Sequence, residues 1–267
     1  MTETILQTFD LTRRFGKFTA VDAVDLQVSR GEIFALLGPN GAGKTTTVKM
    51  LTTLLKPTSG TALVGGWDIR RRPADVRRII GYVPQMISVD GTLTAYENLL
   101  LFSRLYDIPA HEREARIQET LELAGLTDVA DRLVRTYSGG MIRRLEIGQA
   151  LMHHPLVLFL DEPTVGLDPL ARDAVWERIL HVRDLEQMSV VITTHYMDEA
   201  ERLADRLAIM HLGRIQALGT SAELKASTGD PQATLDEVFA YYSGGELDTG
   251  GGFRDAARAR RVAQRLG

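Results

Sequence analysis

The sequence predicts an α/β fold: a mixed, largely parallel sheet wrapped by helices, with an N-terminal antiparallel β-subdomain and an inserted α-helical subdomain. Three observations predict it. Short apolar runs at residues 33–37 and 156–160, and a third buried strand read at 189–193 around Val190-Val191-Ile192, alternate with helical patterns, as strands buried on both faces of a parallel sheet require. Residues 4–29 alternate apolar and polar side chains in short runs, with turns near Gly16 and at Arg30-Gly31, which reads as antiparallel strands. Between Asp90 and Leu126 the apolar residues Leu93, Tyr96, Leu99, Leu100 and Phe102, then Ile117, Leu121, Leu123 and Leu126, recur at helical spacing. That stretch is rich in Glu, Arg, Leu and Ala, and poor in β-branched residues.

Taken in order, the strand Ile33-Phe34-Ala35-Leu36-Leu37 leads into a glycine-rich segment, and a helix is expected over 45–55, stopped by Pro57-Thr58-Ser59-Gly60. Strands are expected at 61–64 and 79–84, before the helical insertion. After Tyr137-Ser138-Gly139-Gly140 a helix runs to about His153, ended by Pro155. The run 156–160 is a strand. A helix from Pro169, a residue suited to a first helical turn, continues to about Gln187. A strand at 189–193, a short helix at 197–204 and a hairpin pairing 207–210 with 215–218 follow. Residues 221–225 and 234–242 receive no assignment. Gly244-Gly245 and Thr249-Gly250-Gly251-Gly252 read as a flexible spacer, and residues 253–266 carry five arginines against one aspartate.

With 267 residues the chain is ample for a buried core, and 44% hydrophobic with 25% charged residues is ordinary for a globular protein. A net charge of −4 gives no global basic surface, so no nucleic-acid partner is expected. The absence of cysteine removes disulfides, thiolate metal sites and cysteine nucleophiles. The opening Met-Thr-Glu-Thr-Ile is no signal peptide, and no apolar stretch approaches the roughly 20 residues of a membrane span. Any work at a membrane then needs a second chain to cross it.

The chemistry is concentrated in Gly38-Pro39-Asn40-Gly41-Ala42-Gly43-Lys44-Thr45-Thr46. Strand, glycine-rich loop and helix N-terminus stand in the order of a P-loop NTPase core. Glycines let successive N–H groups turn inward onto phosphate, and the helix N-terminus adds unpaired N–H groups and the positive end of its dipole. Lys44 is placed to meet the β- and γ-phosphates, and the Thr45 hydroxyl to ligate Mg²⁺. The strand 156–160 ends in Asp161-Glu162, a costly place for carboxylates unless they serve a site. Asp161 is placed to hold Mg²⁺, and Glu162 to polarise an attacking water. Ser138-Gly139-Gly140 opens another helix. It reads either as a helix cap or as a second phosphate-binding end that serves a nucleotide held by another subunit.

These residues resemble a known family. Gly38 to Thr45, Gln85, Tyr137-Ser138-Gly139-Gly140-Met141, Asp161-Glu162, Gly166-Leu167-Asp168 and His195 stand in the order of the nucleotide-binding domain of ABC transporters. The resemblance covers about residues 4–228, with a helical subdomain inserted at about 86–153, and leaves 229–267 as a C-terminal extension. It implies the ABC ATPase architecture and an ATPase using ATP and Mg²⁺. It also implies that the segment from Ser138 contacts ATP bound by a second, head-to-tail copy. By the same resemblance Gln85 joins the Mg²⁺ shell, Asp168 ties the two sites together, His195 holds the γ-phosphate and Phe15 stacks on adenine. Phe15 also reads as simple packing, His195 as a strand-end histidine and Gln85 as a strand terminator. Met141 departs from the glutamine usual in that family. Trp67 and Trp176 have no motif around them and are expected to pack.

The resemblance further implies a membrane permease docked on the segment from Met86 to Arg135, and hence a peripheral place on the cytoplasmic membrane face. Thr234-Leu235-Asp236-Glu237-Val238-Phe239 is similar to the closing motif of daunorubicin-type drug-resistance exporters, and also reads as a plain amphipathic helix end. The expectation is therefore a bacterial exporter ATPase for drug-like or lipophilic compounds. An importer ATPase, a non-transport ABC ATPase and an ATP-binding regulatory module are the alternatives. The arginine-rich tail reads as a solvated segment or as a contact to anionic lipid or permease.

Overall fold

The structure is a computed structural model and describes residues 3–243. The glycine-rich spacer and the arginine-rich tail lie outside the described residues.

Strands β1 (Thr4–Phe15), β2 (Phe18–Val24), β3 (Gln27–Ser29), β5 (Ser59–Val64) and β6 (Trp67–Asp68) form an antiparallel sheet in the order β2-β1-β5-β6, with β3 also paired to β1. A second sheet has the order β11-β10-β4-β9-β8-β7, from β4 (Ile33–Leu37), β7 (Ile80–Val83), β8 (Val157–Asp161), β9 (Ser189–Thr194), β10 (Arg206–His211) and β11 (Arg214–Gly219). Its pairs are parallel except β10 with β11, the expected hairpin. Strands β4, β8 and β9 are buried at every position, which is why their sequences carry no polar alternation.

Register places the chemistry. Leu37 pairs with Thr194 and Asp161 with Thr193, so β4, β8 and β9 end at one level. The glycine-rich loop, Asp161-Glu162 and Thr194-His195 therefore leave the sheet side by side at its carboxyl edge, where open α/β sheets bind ligands.

Between β7 and β8 the chain forms α3 (Ala95–Leu105), α4 (Arg113–Ala124) and α5 (Gly139–Leu151). Thr94 starts α3 with a capping box: its hydroxyl accepts from Glu97 N–H, and its own N–H donates to the Glu97 carboxylate. Leu99, Ile117, Leu121 and Leu145 build a separate apolar cluster here, while Ile147, Ala150 and Leu151 of α5 face the core of the parallel sheet. Helices α6 (Pro169–Glu186) and α7 (Met197–Leu203) cover that sheet.

Four local expectations change. Helix α1 (Lys44–Leu51) stops short of residue 55, because the Thr52 hydroxyl bonds back to Val48 O and Thr53 turns to φ 63°. Helix α2 (Pro73–Ile79) and strand β6 were not expected at all. The unassigned stretches are helices α8 (Ser221–Ser227) and α9 (Leu235–Tyr242), each opened by a capping box. Trp176 packs in the core as expected, but Trp67 is part-exposed with the Arg72 guanidinium 4.6 Å from its ring centre.

Candidate active site

The loop after β4 needs its glycines for different reasons. A Cβ on Gly38 would lie 2.2 Å from Met210 O. Gly43 sits at φ 110°, and its Cβ would lie 2.5 Å from Ala20 O. With those positions bare, the loop curls over the N-terminus of α1, which begins at Lys44. The loop from Pro39 to Thr46 lines a cleft of about 440 Å³ together with Phe15, Phe18, Ala20, Gln85 and Glu162. Phe15 is half-exposed beneath the Arg13 guanidinium, 4.5 Å from its ring centre. Phe18, a second exposed aromatic on the same wall, was missed from sequence. Its spacing across the Gly16 turn, in register with Phe15, was the available signal.

Behind Thr45 of the loop, Asp161 is buried. Its Oδ1 accepts from Thr45 Oγ1 (3.0 Å) and Thr193 Oγ1 (2.6 Å), and its Oδ2 is buried without a partner. The nearby Tyr82 hydroxyl is also buried and unpartnered. Burial, and secondarily the Asp161 charge, hold its pKa well above the usual phenol range. A partnerless carboxylate oxygen beside a threonine hydroxyl is the hard oxygen donor set that Mg²⁺ takes. No group of three His, Cys, Asp or Glu side chains gathers among the described residues.

Glu162 follows at φ 51°, the left-handed region, held by its N–H to Thr193 O (3.1 Å) and Thr193 Oγ1 (3.0 Å). That turn aims its carboxylate back across the sheet edge. Oε1 lies 3.0 Å from Lys44 Nζ, and Oε2 lies 2.6 Å from His195 Nδ1. Lys44 Nζ also donates to Gly38 O (2.7 Å) and Pro39 O (3.2 Å). One buried carboxylate thus joins the loop lysine to the histidine after β9.

Ser138, Gly139, Gly140 and Asp168 do not line this cleft. They are brought to each other instead. Ser138 caps α5 by accepting from Met141 N–H, and Asp168 caps α6 by accepting from Ala171 N–H. Cβ atoms on Gly139 and Gly140 would meet Leu167 and Ala171. The Met141 side chain packs on the helical cluster, which accounts for an apolar residue at that position.

Glu199 and Arg143 are among the buried charges that were missed. Glu199 on α7 accepts from Thr164 Oγ1 (2.6 Å), Trp176 Nε1 (3.3 Å) and Thr194 Oγ1 (3.3 Å), and pairs with Arg172 Nε at 3.4 Å without a hydrogen bond. Arg143 on α5 donates to the carbonyl of Glu162 itself. Both lie on the buried faces of their helices, which packing and not the sequence reveals.

The fold and cleft are those of an ATP-binding cassette. Residues 21–165 match the profile described as ABC transporter, and the chain belongs to that family. It is 46% identical over 224 residues to the daunorubicin/doxorubicin resistance ATP-binding protein DrrA of Streptomyces peucetius, covering 84% of this chain and 68% of that protein. It is 42% identical over 225 residues to the linearmycin resistance ATP-binding protein LnrL of Bacillus subtilis, covering 84% of this chain and 72% of that protein. Among solved structures, the ADP- and Pi-bound dimer of the ATP-binding cassette MJ0796 superposes with a TM-score of 0.72 at 26% identity. That match covers 80% of this chain and 98% of the other.

Proposed function

We propose that this chain binds ATP with Mg²⁺ in the cleft, hydrolyses it, and powers a separate membrane permease that exports drug-like or lipophilic compounds. The observation that carries the reading is Glu162, in the cleft lining, poised between Lys44 and His195. Lys44 and the loop N–H groups orient the triphosphate, and Phe15 and Phe18 offer the base a flat apolar wall. Glu162 takes a proton from the attacking water as the new oxygen–phosphorus bond forms and the bond to the β–γ bridging oxygen breaks, leaving ADP and phosphate. His195 holds the Glu162 carboxylate in line. Thr45, Gln85 and Asp161 would hold the Mg²⁺, which supplies charge neutralisation on the β- and γ-oxygens.

Two head-to-tail copies share two ATP molecules in this reading, each lending Ser138, Gly139, Gly140 and Asp168 to its twin. The dimeric state of the MJ0796 cassette supports it. The drug-resistance names of the relatives support export. Helix α9 buries Leu235, Val238 and Phe239, so the closing motif is also a docked amphipathic helix. No helix among the described residues is long and apolar enough to cross a membrane. Exposed Met86, Ile87, Leu101 and Leu105, in and just before the helical insertion, offer apolar contact to the permease at the cytoplasmic membrane face. The test is Glu162→Gln. Its phosphate release is expected to fall by about 100-fold or more, while ATP with Mg²⁺ drives it into a dimer seen by light scattering. Turnover at the wild-type rate would remove Glu162 from the reaction.

A further inference from the structure

We infer that Arg143 is a positioning residue that makes the Ser138 helix, the Glu162 loop and the Gln85 loop move as one body, so that occupancy of one nucleotide site sets the catalytic geometry of the other. The inference rests on the shared-site reading above. Arg143 lies in the early turns of α5, the helix that Ser138 caps, and is buried. Its single guanidinium spends its donors on three elements. Nε donates to Pro163 O (2.6 Å) and Nη2 to Glu162 O (3.2 Å), both on the loop after β8. Nη1 donates to Pro84 O (2.7 Å), the residue before Gln85, and to Glu146 Oε2 (3.0 Å) one helical turn along α5.

Glu146 completes the clamp from the other side. Its Oε1 accepts from Ser88 N–H (2.5 Å) and from Ser88 Oγ (2.9 Å). Gln85 is thus held on both flanks, at Pro84 and at Ser88, by two side chains of one helix.

The chemistry explains why arginine stands here. Only a planar fork with five donors spans three carbonyls and a carboxylate at once; an ammonium is a point charge with three. Burial pulls the Arg143 pKa down and the Glu146 charge opposes this most, yet no arginine loses its proton in that range. The charge is therefore permanent, and the clamp has no neutral state in which to let go. A displacement of α5 caused by a γ-phosphate at Ser138 has to drag the backbone of Glu162 and Gln85 with it. In a twin arrangement, that Ser138 answers to the partner's nucleotide while Glu162 and Gln85 serve the chain's own.

The test is Arg143→Lys in the full chain, with Glu146→Gln as a second variant, each read by ATP-dependent phosphate release, binding of a fluorescent ATP analogue and thermal unfolding. The expected result for Arg143→Lys is analogue affinity within twofold of wild type, kcat lowered tenfold or more, and a Hill coefficient for ATP falling from above 1 to 1. Glu146→Gln is expected to shift the Hill coefficient the same way with a smaller loss of kcat, and carries the test alone if Arg143→Lys does not fold. Wild-type kcat and Hill coefficient in a folded variant overturn the proposal. So does a drop in analogue affinity and melting temperature with the Hill coefficient unchanged, which assigns Arg143 to packing. A non-cooperative wild type whose Glu162→Gln form fails to dimerise with ATP overturns the shared-site reading itself. A cooperative wild type with cooperative variants overturns the Arg143 proposal and leaves that reading standing.

Discussion

Lys44 Nζ lies 3.0 Å from Glu162 Oε1 with both side chains buried, so the group expected to meet phosphate and the group expected to accept a proton are each other's counterion. A triphosphate that draws Lys44 away leaves Glu162 paired with His195 alone. In the reaction proposed above, binding and base activation are in this way one event rather than two.

Lys44→Met is therefore expected to do two things at once. It loses a charge-assisted phosphate contact worth about 1.5–3 kcal/mol, a drop in ATP affinity of tenfold or more. It also leaves the buried Glu162 carboxylate with His195 as its one side-chain partner, costing up to about 3–5 kcal/mol of stability. Adding Glu162→Gln to Lys44→Met recovers part of the stability and none of the affinity. Calorimetric ATP titration and denaturant unfolding check the pair; a double variant no more stable than Lys44→Met refutes the coupling.

Much of this was legible in the sequence, and the limits have physical causes. Strands β4, β8 and β9 declared themselves because a strand buried on both faces is apolar through its middle, with polar residues only at its ends. The Ser138 cap declared itself by residue type, and Pro169 marked the start of α6, whereas the Asp168 cap before it was not read. Helix α2 hid because it is short, and its one buried residue, Val76, sits amid arginines, although Pro73 and Asp75 mark its start. Arg143 and Glu199 hid for another reason. A charged residue in a polar-looking helix reads as solvated until packing shows otherwise, and Asp198-Glu199-Ala200-Glu201 looks like a surface acidic run. Only the buried face shared by Glu199, Ala200 and Leu203 separates it from one.

Glu199 gives a second expected outcome. Glu199→Leu leaves the Thr164, Trp176 and Thr194 donors and the Arg172 charge without their acceptor, a loss of about 3–5 kcal/mol. Glu199→Gln retains acceptor oxygen and is expected to lose less than half as much. Urea unfolding followed by the fluorescence of buried Trp176 distinguishes them. Equal losses from Leu and Gln would show that the hydrogen bonds there matter little.

His153 gives a third. Its ring stacks on Tyr106 at 3.8 Å, its Nε2 bonds Ile80 O at 2.9 Å, and its Nδ1 is buried without a partner. Burial pushes its pKa down to about 4, from 6.5. The unfolded chain therefore takes up a proton between pH 6.5 and 4 that the folded chain refuses. Stability is complete above pH 6.5, falls as pH drops through that window, and loses nothing further from this group below 4. The span is about 3 kcal/mol. In urea midpoints measured across that window, His153→Gln is expected to show a flatter pH dependence than wild type. Parallel curves would place the titration elsewhere.

The separate apolar cluster under α3, α4 and the outer face of α5 carries one more consequence. Two cores that share a single helical strap have no obligation to melt together. Amide protons in α3 and α4 are expected to exchange with deuterium through a partial opening that leaves β4, β8 and β9 protected. Calorimetry on this chain then calls for a two-transition fit, and a lone melting temperature would average a robust catalytic platform with the looser module mounted on it.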